Sequence, residues 1–150
     1  AGLLKAKAPL PRHSKSLRIM IRIATLCLSA YWIAIFVATH LPATSLPGVA
    51  VSDKLCHVIA YAGLSFLLCW AIPTRSGRWG KHTLLALAIA MGYSCLDELT
   101  QHFIPGRSCD PWDVAADAVG VLVGWGCYLL ARQLLTGARL GRRLIQAMSR

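Results

Sequence analysis

The chain has only six carboxylates, Asp53, Asp97, Glu98, Asp110, Asp113 and Asp117, and they are spaced as helices would need them to act together. Asp53, His57 and Tyr61 recur every four residues and so form one stripe on a helix. Glu98 and Gln101 stand three apart, and Asp113 and Asp117 four apart, each pair able to face one neighbour. Three stripes brought to a common centre would gather acids, an imidazole and an amide. Such a set can do acid–base work, with His57 as base, Asp53 orienting it and Glu98 as acid. It can hold a divalent cation through Glu98, Asp113, Asp117 and His57, because hard cations favour oxygen ligands. It can also simply bind a polar group. Arg107, in the turn Pro105-Gly106-Arg107, is the natural cation for the cluster, since a guanidinium holds two carboxylates in forked geometry.

A binding site or polar network is therefore expected at Asp53, His57, Glu98, Gln101, Arg107, Asp110, Asp113 and Asp117. No catalytic role is assigned to any of them, because HExxH, GxSxG and P-loop motifs are absent. Several of these residues also have simpler roles. Asp110 before Pro111 reads as a helix N-cap with proline at the first helical position and Asp113 at the third. Asp53 behind Ser52 complements a helix N-terminus, and Tyr61 reads as packing or an interfacial aromatic. Asp97 is expected to face water or bind Arg107, while His40, His82 and His102 lie near helix ends and need no special role. Glu98 and Asp117 lie further into their helices, where an acid is functional by default.

The elements that carry these residues are membrane helices. Hydrophobic residues make up 56% of the 150-residue chain and charged residues 15%, against roughly 25% charged in an ordinary soluble domain. Four apolar runs, from about Ile23 to His40, Leu55 to Ile72, His82 onward (turning polar after Cys95) and Val114 to Leu135, are each near the roughly 20 residues that span a bilayer. Pro42 and Pro47-Gly48 break the chain after the first run, Pro73 with Gly77 and Gly80 after the second, and Pro105-Gly106 after the third. An all-α, integral membrane four-helix bundle follows, with successive helices antiparallel across short connections. Residues 1–22 read as a basic tail, 23–135 as the spanning domain and 136–150 as a second basic tail. The first run has no small-x-small cleavage site after it and reads as a true span.

Charge orients the bundle. The formal net charge is +10, yet the basic residues flank apolar runs instead of building a polar binding face, which excludes nucleic acid as a partner. Lys and Arg lie before the first run, between the second and third and after the fourth; only Lys54 and Arg107 lie on the side where all six acids collect. Positive charge is retained inside, so both termini are expected in the cytoplasm and the polar cluster at the outer face of a cytoplasmic (inner) membrane. Had the acids been mere decoration, some would sit in the cytoplasmic segments, where they cost little; at mid-depth an acid costs at least about 2.5–3.5 kcal/mol. The six scattered cysteines form no CxxC and suggest small apolar packing, with a Cys56–Cys109 bridge conceivable at the outer surface. Gly120 and Gly124 make a GxxxG that lets the fourth helix pack closely on a neighbour. Trp79 and Trp112 are the clearest interfacial anchors.

The run Asp53-Lys54-Leu55-Cys56-His57 with Tyr61-Ala62-Gly63 resembles the DKxxHxxxY opening of VanZ-like proteins. Glu98-Leu99-Thr100-Gln101, Gly106-Arg107, Asp110, Asp113, Asp117, Gly120 and Gly124 are similar to that family's second signature, ExxQ…GRxxDxxDxxxNxxGxxxG, over about residues 20–135 in all. Asp117 departs from it, standing where the family commonly has asparagine. The resemblance implies a small bacterial multi-pass protein of the cell envelope; the name-giving member is associated with resistance to teicoplanin, and the family has no settled biochemical activity to carry over. The preferred expectation is a non-enzymatic protein whose outward cluster binds a polar head group or partner, with membrane lipids as partners and no cofactor. The alternatives are a membrane enzyme acting on a lipid-linked or phospholipid substrate, with or without a divalent cation at the acids, and an accessory subunit touching other membrane-protein subunits through its basic leader or the glycine face of the fourth helix.

Overall fold

A computed structural model describes residues 12–41, 52–72 and 79–137. These form four α-helices: α1 (Arg12–His40), α2 (Asp53–Ala71), α3 (Trp79–Gln101) and α4 (Pro111–Gly137). Each contains a segment long and apolar enough to cross a bilayer. A helix satisfies its backbone internally, which is what a span without water requires. The third helix carries its polar last turn through Glu98 to Gln101, as expected, with those side chains paired to neighbours. One boundary differs from the sequence reading. Gly80, expected in a break, lies in the first turn of α3.

Cross-helix contacts set the arrangement. Lys54 meets Asp113, His57 meets Asp117 and Ser65 meets Val121, so α2 and α4 run parallel. Trp32 meets Tyr93 and Thr39 meets Asp97, so α1 and α3 also run parallel, opposite to the first pair. All the acids thus arrive at one end. The core between the helices is built from Ile35, Tyr61, Leu64, Leu68, Ala86, Ala90, Val121 and Tyr128. Large apolar side chains such as Leu26, Ile33, Leu84, Leu99, Leu122 and Leu134 point outward. In water such a surface would be a liability; against lipid tails it is at home.

The closest approach is between α2 and α4. A Cβ on Gly120 would overlap the Val58 carbonyl oxygen, and one on Gly124 the Ala62 carbonyl oxygen. The glycine face is thus consumed inside the chain, against α2, and is not free to meet another subunit. The Ser65 hydroxyl donates to the Val121 carbonyl at 3.0 Å across the same contact. At the end of the bundle away from the acids, His82 Nε2 donates to the Cys69 carbonyl at 3.0 Å, satisfying an orphan acceptor in the last turn of α2. All six cysteines are free, including Cys56 and Cys109, so no bridge joins them. Only Cys69 packs in the core; the other five are exposed, which corrects the expected packing role. The basic leader before Arg12 and the tail after Gly137 lie outside the described residues.

Candidate functional site

The polar end is built from two networks. The first joins α1 to α3. Asp97 is buried and accepts from Thr39 Oγ1 at 2.9 Å, Gln101 Nε2 at 3.1 Å and the Tyr93 hydroxyl at 3.3 Å. His40 completes this group: Nδ1 donates to the Phe36 carbonyl at 2.9 Å and Nε2 lies 3.0 Å from Thr100 Oγ1. Asp97 therefore neither faces water nor binds Arg107, and His40 is not an idle helix end. Both carboxylate oxygens of Asp97 are engaged by neutral donors, which is how a carboxylate is tolerated out of water.

The second network joins α2 to α4. His57 Nδ1 donates to Asp117 Oδ1 at 2.9 Å, and the Ser94 hydroxyl of α3 donates to Asp117 Oδ2 at 2.7 Å. Aspartate rather than asparagine at 117 lets both partners donate; an amide offers one acceptor atom and one donor. The orienting carboxylate for His57 is thus Asp117 from the facing helix, not Asp53 from its own stripe. Asp53 is exposed at the first position of α2, and Tyr61 is fully buried with its hydroxyl lacking a hydrogen-bond partner among the described residues.

Glu98 ties the networks together. It is buried, accepts the Asp110 backbone N–H on Oε2 at 3.1 Å, and receives Gln101 Nε2 on Oε1 at 3.4 Å. The bond from Asp110 pins the start of α4 to the end of α3. Asp110 caps α4 as expected: its Oδ1 accepts the Trp112 N–H at 2.9 Å. Asp110 precedes the span of α4, and its carboxyl is held below the usual carboxylate range, first by the Trp112 N–H and then by Lys54. Ser52 precedes α2 without a side-chain cap bond, while its carbonyl accepts the Leu55 and Cys56 N–H groups.

Arg107 is the largest correction. Nε donates to the Leu41 carbonyl at 3.1 Å, Nη2 to the Ala38 carbonyl at 3.2 Å, and Nη1 to Gln101 Oε1 at 3.5 Å. It grips the last carbonyls of α1 instead of two carboxylates. The cause is the turn before it. Gly106 has φ 79°, and the Arg107 N–H donates to the Ile104 carbonyl at 3.0 Å, a turn with proline then glycine at its centre. This folds Arg107 back beside α1, where unpaired C-terminal carbonyls attract a cation.

Lys54 takes the place expected for Arg107. Its Nζ lies 2.8 Å from Asp113 Oδ1 and 3.0 Å from Asp110 Oδ2, and the side chain is 49% exposed. Next to it, single ligand atoms of Asp53, His57 and Asp113 lie within 4.8 Å of one another. Glu98 and Asp117, expected among any cation's ligands, have their oxygens occupied by the partners above. The residues that spacing alone does not single out are Lys54, Ser94, Thr39, His40 and Asp97. The mouth of the site is bordered by Trp112, 71% exposed, whose N–H is held by Asp110.

Scanned against protein families, residues 11–132 match VanZ/LLP1. No curated protein and no solved structure matches. The match takes in all four apolar spans up to the last turn of α4, together with both polar networks, and the chain belongs to the VanZ/LLP1 family.

Proposed function

We propose that this multi-pass membrane protein binds the polar head group of a membrane lipid or lipid-linked molecule at the acid-rich end of its bundle, and that this end faces outward from the cytoplasmic membrane with both termini inside. One observation carries the reading: the buried His57–Asp117 pair lies beneath a mouth of Asp53, Lys54, Asp110 and Asp113 that is bordered by the exposed Trp112. Aromatic side chains of this kind favour the head-group layer, so the mouth lies at the depth where a polar head group would be met. The outward orientation is supported by the basic residues collected at the other end.

Lys54 is the group that would meet an anionic phosphate. Removing it should weaken binding of a short-chain phosphatidylglycerol to the full chain in detergent by about tenfold, the worth of one partly exposed charge-assisted bond. Equal binding by wild type, Lys54→Met and Asp113→Asn would sink the reading. Arg107→Ala serves as the contrast, because that side chain is engaged with α1 carbonyls.

A second reading has its own support. His57 with Nδ1 on Asp117 is the arrangement that orients an imidazole as a general base, which suits a membrane enzyme acting on a lipid-linked or phospholipid substrate. Turnover of such a substrate that vanishes in His57→Gln while the chain stays folded would favour it over binding alone.

A further inference from the structure

We infer that Asp53, His57 and Asp113 form a binding site for a first-row divalent cation of the zinc or cobalt class. Asp53 and His57 lie one turn apart on α2, and Asp113 reaches them from the first turn of α4. One ligand atom from each lies within 4.8 Å of the others. Ligand atoms about 2.1 Å from a shared tetrahedral ion stand about 3.4 Å apart, so a movement of up to about 1.4 Å closes the site. Asp53 can make it, being exposed at the helix start.

The histidine is what separates this trio from a chance meeting of acids. His57 is 5% exposed and its Nδ1 is committed to Asp117. The nitrogen left to ligate is Nε2, and no described residue hydrogen-bonds to it. A ligating imidazole nearly always gives its other N–H to a carboxylate, which fixes the ring and raises its basicity. Asp117 does this, and Ser94 holds Asp117 in turn. Two carboxylate oxygens and one imidazole nitrogen suit a borderline ion, and three protein ligands leave a coordination position open. The α2–α4 distance that brings Asp113 within reach is set by Gly120 and Gly124.

The cation would also answer a difficulty of charge. The mouth carries Asp53, Asp110 and Asp113 against Lys54 alone, a poor balance for gripping phosphate. A divalent ion at the trio cancels that excess of two negative charges and offers its open position to a phosphate oxygen. This last step rests on the head-group reading; the metal site does not. Lys54 Nζ, 2.8 Å from Asp113 Oδ1, competes with the ion for that carboxylate.

The test is titration of the 150-residue chain in detergent with Co²⁺ and Zn²⁺, following visible cobalt absorption and calorimetric heat. One equivalent should bind. Asp53→Asn, a surface change, should weaken binding at least about tenfold, and Lys54→Met should strengthen it. No saturable binding by wild type, or equal affinity in wild type, Asp53→Asn and Asp113→Asn, overturns the site. Phosphatidylglycerol binding is then measured with and without Zn²⁺. Metal binding by a chain that binds no lipid with or without Zn²⁺ keeps the cation site and removes the head-group reading. Lipid binding that needs Lys54 in a chain that takes up no metal does the reverse.

Discussion

Substituting alanine for glycine at three positions of α4 measures how far the site depends on helix proximity. A Cβ on Gly124 would overlap the Ala62 carbonyl oxygen and stand 2.8 Å from its carbonyl carbon and 2.9 Å from its Cα. Ordinary carbon contact begins near 3.5 Å, so the carbons alone require about 0.7 Å of movement and the oxygen more; the helices part by about 1 Å. The Ser65–Val121 bond, at 3.0 Å, and the His57–Asp117 bond, at 2.9 Å, cross that interface. Lengthened by about 1 Å, both pass out of hydrogen-bond range. Interhelical bonds in membranes average about 0.6 kcal/mol and reach about 1.7. A gap of this size also forfeits a quarter to a half of the dispersion well along the contact, so Gly124→Ala should cost about 2–4 kcal/mol. Gly120→Ala meets the Val58 carbonyl in the same way and should behave alike. Gly126 has nothing within 4 Å of a built Cβ, so its alanine variant should be neutral or stabilised by up to about 1 kcal/mol through helix propensity. The assay is unfolding by sodium dodecyl sulfate in mixed micelles, followed by far-ultraviolet circular dichroism. If all three variants unfold within about 0.5 kcal/mol of one another, less than a single average interhelical bond, the parallel α2–α4 contact is not as described.

Asp117→Asn should be tolerated, costing about 1 kcal/mol, because the amide still offers one acceptor and one donor to Ser94 and His57; Asp117→Ala leaves both unmatched and should cost about 2–4 kcal/mol in the same unfolding assay. Arg107→Ala should fray the last turn of α1, raising hydrogen exchange at residues following Ala38, while leaving exchange at the start of α4 unchanged. The Asp110 carboxyl is held below its ordinary value of 3.8, so the folded state favours its ionised form. That contribution is complete above the unfolded value and is lost as pH falls through the lower folded one. Exchange at Trp112 and Asp113 amides should therefore rise in acid below about pH 4, and the rise should be absent in Asp110→Asn.

Helical periodicity makes the stripes legible in the sequence itself: His57 and Asp117 are buried at one end, Glu98 and Gln101 share a face, and Asp110 caps α4. Partners across helices are not legible there, because spacing along one helix says nothing about the rotation of its neighbour. Periodicity alone matches His57 to Asp53 on its own stripe, whereas the α2–α4 contact offers it Asp117. The charge and chain position of Arg107 suit it to the acids. Its direction depends on the single turn angle at Gly106, which sends it toward α1. Lys54 reads as no more than a neighbour of Asp53, although one residue further on a helix is a turn of about 100°, enough to face Asp113. A signal does exist for Asp97: Thr39 and His40 close the first apolar run at the same end as Asp97 and Thr100, and four polar residues at one depth predict a pairing.

The two networks differ in what they leave open, and this difference favours one half of the bundle as the working half. On the α1–α3 side, Asp97 is buried and bonded by Thr39, Tyr93 and Gln101, and Arg107 donates to the Leu41 and Ala38 carbonyls and to Gln101. Such a network holds helices in register, with both oxygens of its carboxylate engaged. On the α2–α4 side the inner layer is equally complete, with Asp117 shared between His57 and Ser94, but the outer layer is not. Lys54 and Asp110 remain 49% and 37% exposed, and His57 keeps one ring nitrogen uncommitted among the described residues. A purely structural network gains nothing from stopping short in this way, since each unpaired polar group near the membrane carries a cost. A site that must accept a visitor requires it.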